Sequence, residues 1–141
     1  MAVSRADQIN QTIKKSEIYS DFANSFQKHP ITNQLVVLKN EDAVRQAFKN
    51  LILTNLGERL FSPFFGTNIT GDLFEQVTPF VIEDLTKTIK VSAAQFEPRI
   101  FLQNVQIIDD SDKNGIRINI TFSLINKTAP INLPIFIRRV R

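Results

Sequence analysis

The spacing of apolar positions changes twice along this chain. From Val44 onward they recur at helical spacing: Val44, Phe48, Leu51 and Ile52 form one stripe, with Ala47 beside it. Asn40 precedes the stripe as an N-cap, and Glu41 and Asp42 fall in the first turn, where negative charge complements the helix dipole. Gly57 marks the expected end. A second stripe, Ile82, Leu85, Ile89, Ala93 and Phe96, follows Thr78-Pro79, a capping residue and a proline suited to the first helical turn. After Phe96 the period drops to two. Val105 and Ile107 alternate with glutamines, and Ile116, Ile118, Ile120, Phe122 and Leu124 alternate with Arg117, Asn119, Thr121 and Ser123. The polar run at residues 109–115 reads as the hairpin turn between these strands. A third alternation places Ile131, Leu133, Ile135 and Ile137 on one face; it contains Pro134, whose missing N–H assigns it to a sheet edge.

Two regions lack a clean period. Residues 1–30 are polar, with only Ile9 and Ile13 at helical spacing, and read as an extended N-terminal arm. The short run Leu35 to Leu38 reads as a strand or an extended lead-in to the first helix. The connector 57–79 is rich in glycine and proline, yet it carries Leu60, Phe61, Phe64, Phe65, Leu73 and Phe74. Six large apolar residues imply a connector that is ordered and mostly packed, since leaving them in water would create a sizeable exposed patch. Gly57 and Gly66 would supply unusual backbone shapes, and Arg59 is placed to bond nearby carbonyls or carboxylates. The expected fold class is α+β: two or three helices packed on a three-stranded antiparallel sheet, as a single domain over residues 31–141.

Composition removes most chemistry. With 17 Lys and Arg against 14 Asp and Glu, the net charge is only +3, and the basic residues cluster only at Arg138, Arg139 and Arg141 and at Lys14 and Lys15. Counterion release needs several phosphate contacts acting together, so nucleic acid is not an expected partner. Without cysteine and with His29 as the single histidine, neither a zinc site nor a histidine-based triad can be assembled. Residues 66–72, "GTNITGD", lack the lysine and preceding strand of a phosphate loop. Asp109, Asp110 and Asp112 lack the closing glutamate of a calcium loop. The opening residues have no apolar signal core, and no run approaches the roughly 20 residues of a membrane helix. Neither metal, cofactor nor membrane is expected. A glycosidase needs only two carboxylates, for which Glu97 with Glu58 or Glu75 are the candidates; Arg99 beside Glu97 favours the ionised form, which suits a general acid poorly. Twelve Phe, one Tyr and no Trp also leave few of the rings common in sugar clefts.

The junction between the second helix and the first long strand is Glu97-Pro98-Arg99, a rigid corner offering an acceptor and a forked cationic donor, rimmed by Phe96, Ile100 and Phe101. Together with Gly57-Glu58-Arg59, Pro63-x-Phe65-Gly66 and Leu73-Phe74-Glu75, it occurs in an order and spacing that resembles the phage tail baseplate wedge family. That family includes the gene-25 product of T-even phages and the matching component of type VI secretion baseplates. The resemblance covers most of residues 35–125, and residues 17–22 are similar to the start of some phage members. Position 64, where family members often carry an acid, is Phe64, which makes the connector more apolar. The resemblance implies a structural protein of a contractile tail, without catalytic residues, located in the virion tail baseplate after assembly in the host cytoplasm. It implies many copies in a symmetric ring, docking of Glu97, Pro98 and Arg99 on the core helical bundle of other wedge proteins, and initiation of the tail sheath. The edge strand, with Ile131, Leu133, Ile135, Phe136 and Ile137, is then expected to accept terminal strands from sheath subunits. The alternative is a peptidoglycan-cleaving, lysozyme-like glycosidase of the baseplate.

Overall fold

The computed structural model of the protein describes residues 18–73 and 77–139. The elements run β1 (Ser20–Phe22), β2 (Val37–Lys39), α1 (Glu41–Leu53), α2 (Ile69–Asp72), α3 (Pro79–Phe96), β3 (Ile100–Asp110), β4 (Gly115–Leu124) and β5 (Lys127–Arg138). Strands β3, β4 and β5 form an antiparallel meander in that order, and β1 and β2 form a separate ribbon. The alternation in β4 and β5 has its expected consequence: Ile116, Ile118, Ile120 and Phe122 pair with Ile137, Ile135, Leu133 and Ile131, and all eight are buried on one face. The helices cover that face. Val44, Phe48, Leu51 and Ile52 of α1 and Leu85, Ile89 and Ala93 of α3 enter the same core, where the Phe48 and Phe122 rings meet edge-on with centroids 5.5 Å apart. This is the expected two-layer α+β architecture, with the ribbon as an addition.

Thr78 caps α3, its hydroxyl accepting the Val81 N–H at 3.3 Å, with Pro79 in the first turn. Asn40 behaves differently from the N-cap the sequence suggests. It precedes α1 at φ 49°, but its side chain makes no cap bond. Its Oδ1 instead accepts the N–H groups of Ile18 and Tyr19, and its own N–H donates to Tyr19 O. Residues 18–30 thereby run back along β2, and Asn24 bonds Gln46 and Asn50 on the outer face of α1. Residues 1–17, to which most of the expected arm belongs, lie outside the described residues, as do Phe74, Glu75 and Arg141.

Helix α1 stops at Leu53, short of Gly57, because Thr54 turns extended and its hydroxyl bonds back to Asn50 O. The following chain folds into a closed loop. Thr67 N–H donates to Thr54 O at 2.8 Å, Thr67 Oγ1 to Ile52 O at 2.7 Å, and Gly57 N–H to Pro63 O at 2.8 Å. Gly66 sits at φ 115° with no room for a side chain: a Cβ there would lie 2.3 Å from Thr54 O. Ser92 of α3 donates to Gly66 O, tying the loop base to the helix. The connector is ordered, but the expectation that it is mostly packed fails. Leu73 is buried and Phe65 partly so, whereas Leu60, Phe61 and Phe64 are 82%, 101% and 79% exposed. The bonds that tie the loop to the rest of the domain lie near its base, and its tip stands clear of the core.

The two loop glycines should therefore respond differently to alanine. Gly57 is at φ 81° with open space around it, so Gly57→Ala should cost about 1 kcal/mol of backbone strain. Gly66→Ala adds a main-chain clash and should cost roughly 3 kcal/mol or more. Urea unfolding of both variants checks the order; equal losses would contradict the packing described at Gly66.

Candidate functional site

Helix α3 ends because Pro98 cannot continue it. Glu97 is the last capping position, its N–H still bonded to Ala93 O, and Ile100 N–H returns to Glu97 O to close a tight turn into β3. Two residues on from Glu97, across that turn, Arg99 reaches back. Its Nε and Nη2 donate to the two carboxylate oxygens of Glu97 at 2.5 and 2.8 Å, a bidentate pair. Glu97 is 5% exposed, so the acid is the buried partner and the guanidinium the half-exposed one. The hydrogen bond to Glu97 raises the Arg99 pKa above its ordinary value, against the opposing effect of burial, and the charge of Asp21 acts in the same raising sense. Arg99 Cζ stands 5.3 Å from the centre of the Tyr19 ring, and Arg99 O accepts the Ile125 N–H. One short corner thus joins α3, β3, the β4–β5 turn and the segment before β1.

The corner forms one wall of an open cleft of about 590 Å³. It is also lined by Glu58, Arg59 and Phe65 of the connector loop and by Asn50, Leu51 and Thr54 at the end of α1. Phe65 meets Phe96 at 5.2 Å between ring centres, and Arg59 lies over the Phe65 face at 4.4 Å. Arg59 therefore stacks on a ring where the sequence suggested a bond to carbonyls or carboxylates. Glu58 accepts the Asn55 N–H at 2.9 Å. Among the described residues no group of three or more His, Asp or Glu side chains is arranged to hold a metal, and no helix is long and apolar enough to cross a membrane.

The residues singled out from sequence lie at the corner and along β5, which runs away from the corner end of the sheet from Ile131, opposite Phe122, to Ile137, opposite Ile116. Glu97, Pro98 and Arg99 lie at the end of the sheet where β3 begins and β4 gives way to β5. Ile135, Phe136 and Ile137 lie toward the other end, level with Asp109 and Ile116. Ile131, Leu133, Ile135 and Ile137 point into the core, leaving Phe136 as the outward aromatic. Arg139, two residues past Ile137, donates its N–H to Asn114 O, so odd-numbered residues of β5 turn their main chain toward β4. Asn132, Pro134 and Phe136 turn theirs to the open edge. Pro130 falls where the pairing with β4 shifts register. Arg59 and Phe65 line the corner cleft and Tyr19 faces Arg99 beside it, and none of the three was singled out as a site residue; the Gly57-Glu58-Arg59 motif was the available signal for the first.

A buried carboxylate held by one guanidinium makes the two residues energetically dependent. In a cycle of Glu97→Ala, Arg99→Ala and the double variant, the single changes should cost more than the double predicts by addition, with a coupling of about 1–2 kcal/mol after allowance for the exposure of Arg99. Thermal or urea unfolding measures it; additive losses would mean the pair contributes nothing.

The comparisons with known proteins agree with this architecture. Residues 39–129 match the family model described as baseplate wedge protein gp25. The baseplate wedge protein gp25 of Enterobacteria phage T4 is 30% identical over 89 residues, covering 63% of this chain and 67% of that protein. A chain of the anti-feeding prophage baseplate superposes with a TM-score of 0.68 at 26% identity, over 78% of this chain and 88% of that one. A candidate tail lysozyme from Geobacter sulfurreducens has the same fold, with a TM-score of 0.68 at 21% identity over 75% of this chain and 97% of its own. The matched region runs from the end of β2 through both long helices, the Glu97–Arg99 corner and β4, and the chain belongs to the family of baseplate wedge protein gp25.

Proposed function

We propose that this protein is a non-catalytic structural component of a contractile tail baseplate, docking on the core helical bundle of other wedge proteins through the Glu97-Pro98-Arg99 corner. The observation that carries this reading is the half-exposed Arg99 guanidinium, held in one orientation by a buried carboxylate. Pre-ordering an arginine lowers the entropy lost when it meets a partner, and Arg99 lines the cleft. Glu97 supports the contact from behind; Pro98, which is exposed, fixes the corner. The same pairing argues against Glu97 as a glycosidase acid, since its side chain is buried and both of its oxygens already accept from Arg99, leaving neither turned to a substrate. In this role the chain would sit in the virion tail in several copies around a ring, after assembly in the host cytoplasm.

The protein would also start the tail sheath by accepting sheath strands along the open edge of β5. Because Ile131, Leu133, Ile135 and Ile137 are core residues, the contact would use the main chain, with Phe136 as its side-chain anchor. Pro134 offers a carbonyl but no N–H, so an incoming strand must match a ladder with donors at Asn132 and Phe136. That requirement selects one register and discourages indiscriminate pairing.

Two experiments test these contacts. Arg99→Ala alone would strand the buried Glu97, so the docking test uses Glu97→Gln with Arg99→Met, which keeps volume and removes both charges. The double variant should fold and yet fail to co-assemble with the wedge; normal incorporation, or peptidoglycan turnover that Glu97→Gln abolishes, overturns the docking role. For the edge, removing β5 would destroy the core, whereas Asn132→Pro with Phe136→Pro removes two outward N–H groups and the Phe136 ring and leaves the buried face of β5 in place. Baseplates carrying that pair should form without growing sheath, and normal sheath growth on them would refute strand acceptance.

A further inference from the structure

The connector loop carries a surface that neither the corner nor the sheet edge uses. Between Thr54 and Thr67 the chain closes on itself and is braced by Gly57, Ser62 and Phe65 N–H bonds to Pro63, Arg59 and Ser62 carbonyls. On this braced frame Leu60, Phe61 and Phe64 stand almost wholly in water, with the half-exposed Leu56 beside them. Phe61 holds a left-handed backbone, φ 64°, which is costly for an aromatic residue and keeps its ring turned outward. An apolar group this exposed on a flexible tail would be unremarkable; on an ordered loop it is a preformed convex knob. Beside it, Arg59 is the loop's cation. Among the described residues its guanidinium forms no ion pair and rests on the Phe65 ring at 4.4 Å, so its charge is positioned and unmatched.

We infer that the Leu60-Phe61-Phe64 knob is a second docking element, which inserts into an apolar cleft of another baseplate protein whose rim places a carboxylate against Arg59. The charge selects the occupant: a cation fixed over an aromatic ring at the foot of an apolar knob is complementary to an acid at the edge of an apolar cleft. The cleft of a second copy is a poorer fit: of the acids lining it, Glu97 is paired with Arg99, Glu58 accepts the Asn55 N–H and Asp21 the Phe22 N–H. A lipid surface is poorer still. The braces of the loop use other N–H groups than those of Leu60 and Phe61, and irregular backbone in hydrocarbon would leave those donors unmet. A protein cleft can supply acceptors for them.

The test uses the full chain co-assembled with the wedge proteins of its own particle. Leu60→Ser with Phe61→Ser removes exposed groups only, so its melting temperature should match the parent, while incorporation should fall about tenfold or more, as for loss of an aromatic anchor. Arg59→Glu should weaken incorporation as well, and Arg59→Lys should restore much of it. A photoreactive phenylalanine analogue at position 61 should crosslink to a wedge-protein segment combining apolar residues with Asp or Glu. Parental incorporation of the serine variant overturns the inference. So does a crosslink to a second copy of this chain, or binding to phosphatidylethanolamine–phosphatidylglycerol vesicles that the serine pair abolishes. Arg59 lines the corner cleft but Leu60 and Phe61 do not, so the serine pair and the Glu97→Gln/Arg99→Met variant, which leaves the knob intact, are the two that read failure of the knob and failure of corner docking separately.

Discussion

A carboxylate placed in a protein interior must find a cation or give up its charge, and Glu97 meets this demand two residues away. Pro98 makes the solution local: it ends α3, bends the chain and brings Arg99 back over Glu97. The direction of α3 relative to β3 follows from that bend. With it fixed, Leu85, Ile89 and Ala93 fall over the isoleucines of β4, and Phe96 falls against Phe65 of the connector. The carbonyl of Arg99 then receives Ile125, so the β4–β5 turn is registered to the same corner. A polar pair at the margin of the core thus aligns a large apolar interface whose own contacts are directionless.

The periodic parts of this fold were legible in the sequence because one physical requirement dominates them. Ile116 to Leu124 alternate since one face of a sheet is roofed and the other is wet, and Thr78-Pro79 starts a helix by local hydrogen bonding and a restricted φ. Where several bonding options compete, the reading was less complete. Asn40 could cap α1 or bond the passing chain, and the tertiary option prevails. The connector residues Leu60, Phe61 and Phe64 were expected inside because burial is the usual fate of such side chains; the sequence carries no mark distinguishing a residue packed in its own fold from one reserved for a neighbour. The corner was visible as a motif, but not that Glu97 would be its buried half. That depends on the depth at which α3 ends, which no local pattern encodes.

The chain therefore divides its aromatic residues between two duties. Phe48 and Phe122 close the core edge to edge, while Phe61, Phe64 and Phe101 remain in solvent. A monomer that keeps such rings in water carries a standing aggregation hazard, lessened here by the rigidity of the loop that bears two of them and by the proline and arginines along β5. Surfaces that would be liabilities in a permanent monomer are tolerable in a protein whose family is that of a baseplate wedge component.

Tyr19 has a consequence of a different kind. It is the one tyrosine of a chain without tryptophan, and its ring faces the Arg99 guanidinium at 5.3 Å. Emission excited at wavelengths too long for phenylalanine to absorb therefore originates at Tyr19, beside the corner, and not in the core or the sheet. The wild-type chain carries its own optical label where α3, β3 and the first described residues converge, sensitive to whatever displaces or excludes water from that guanidinium.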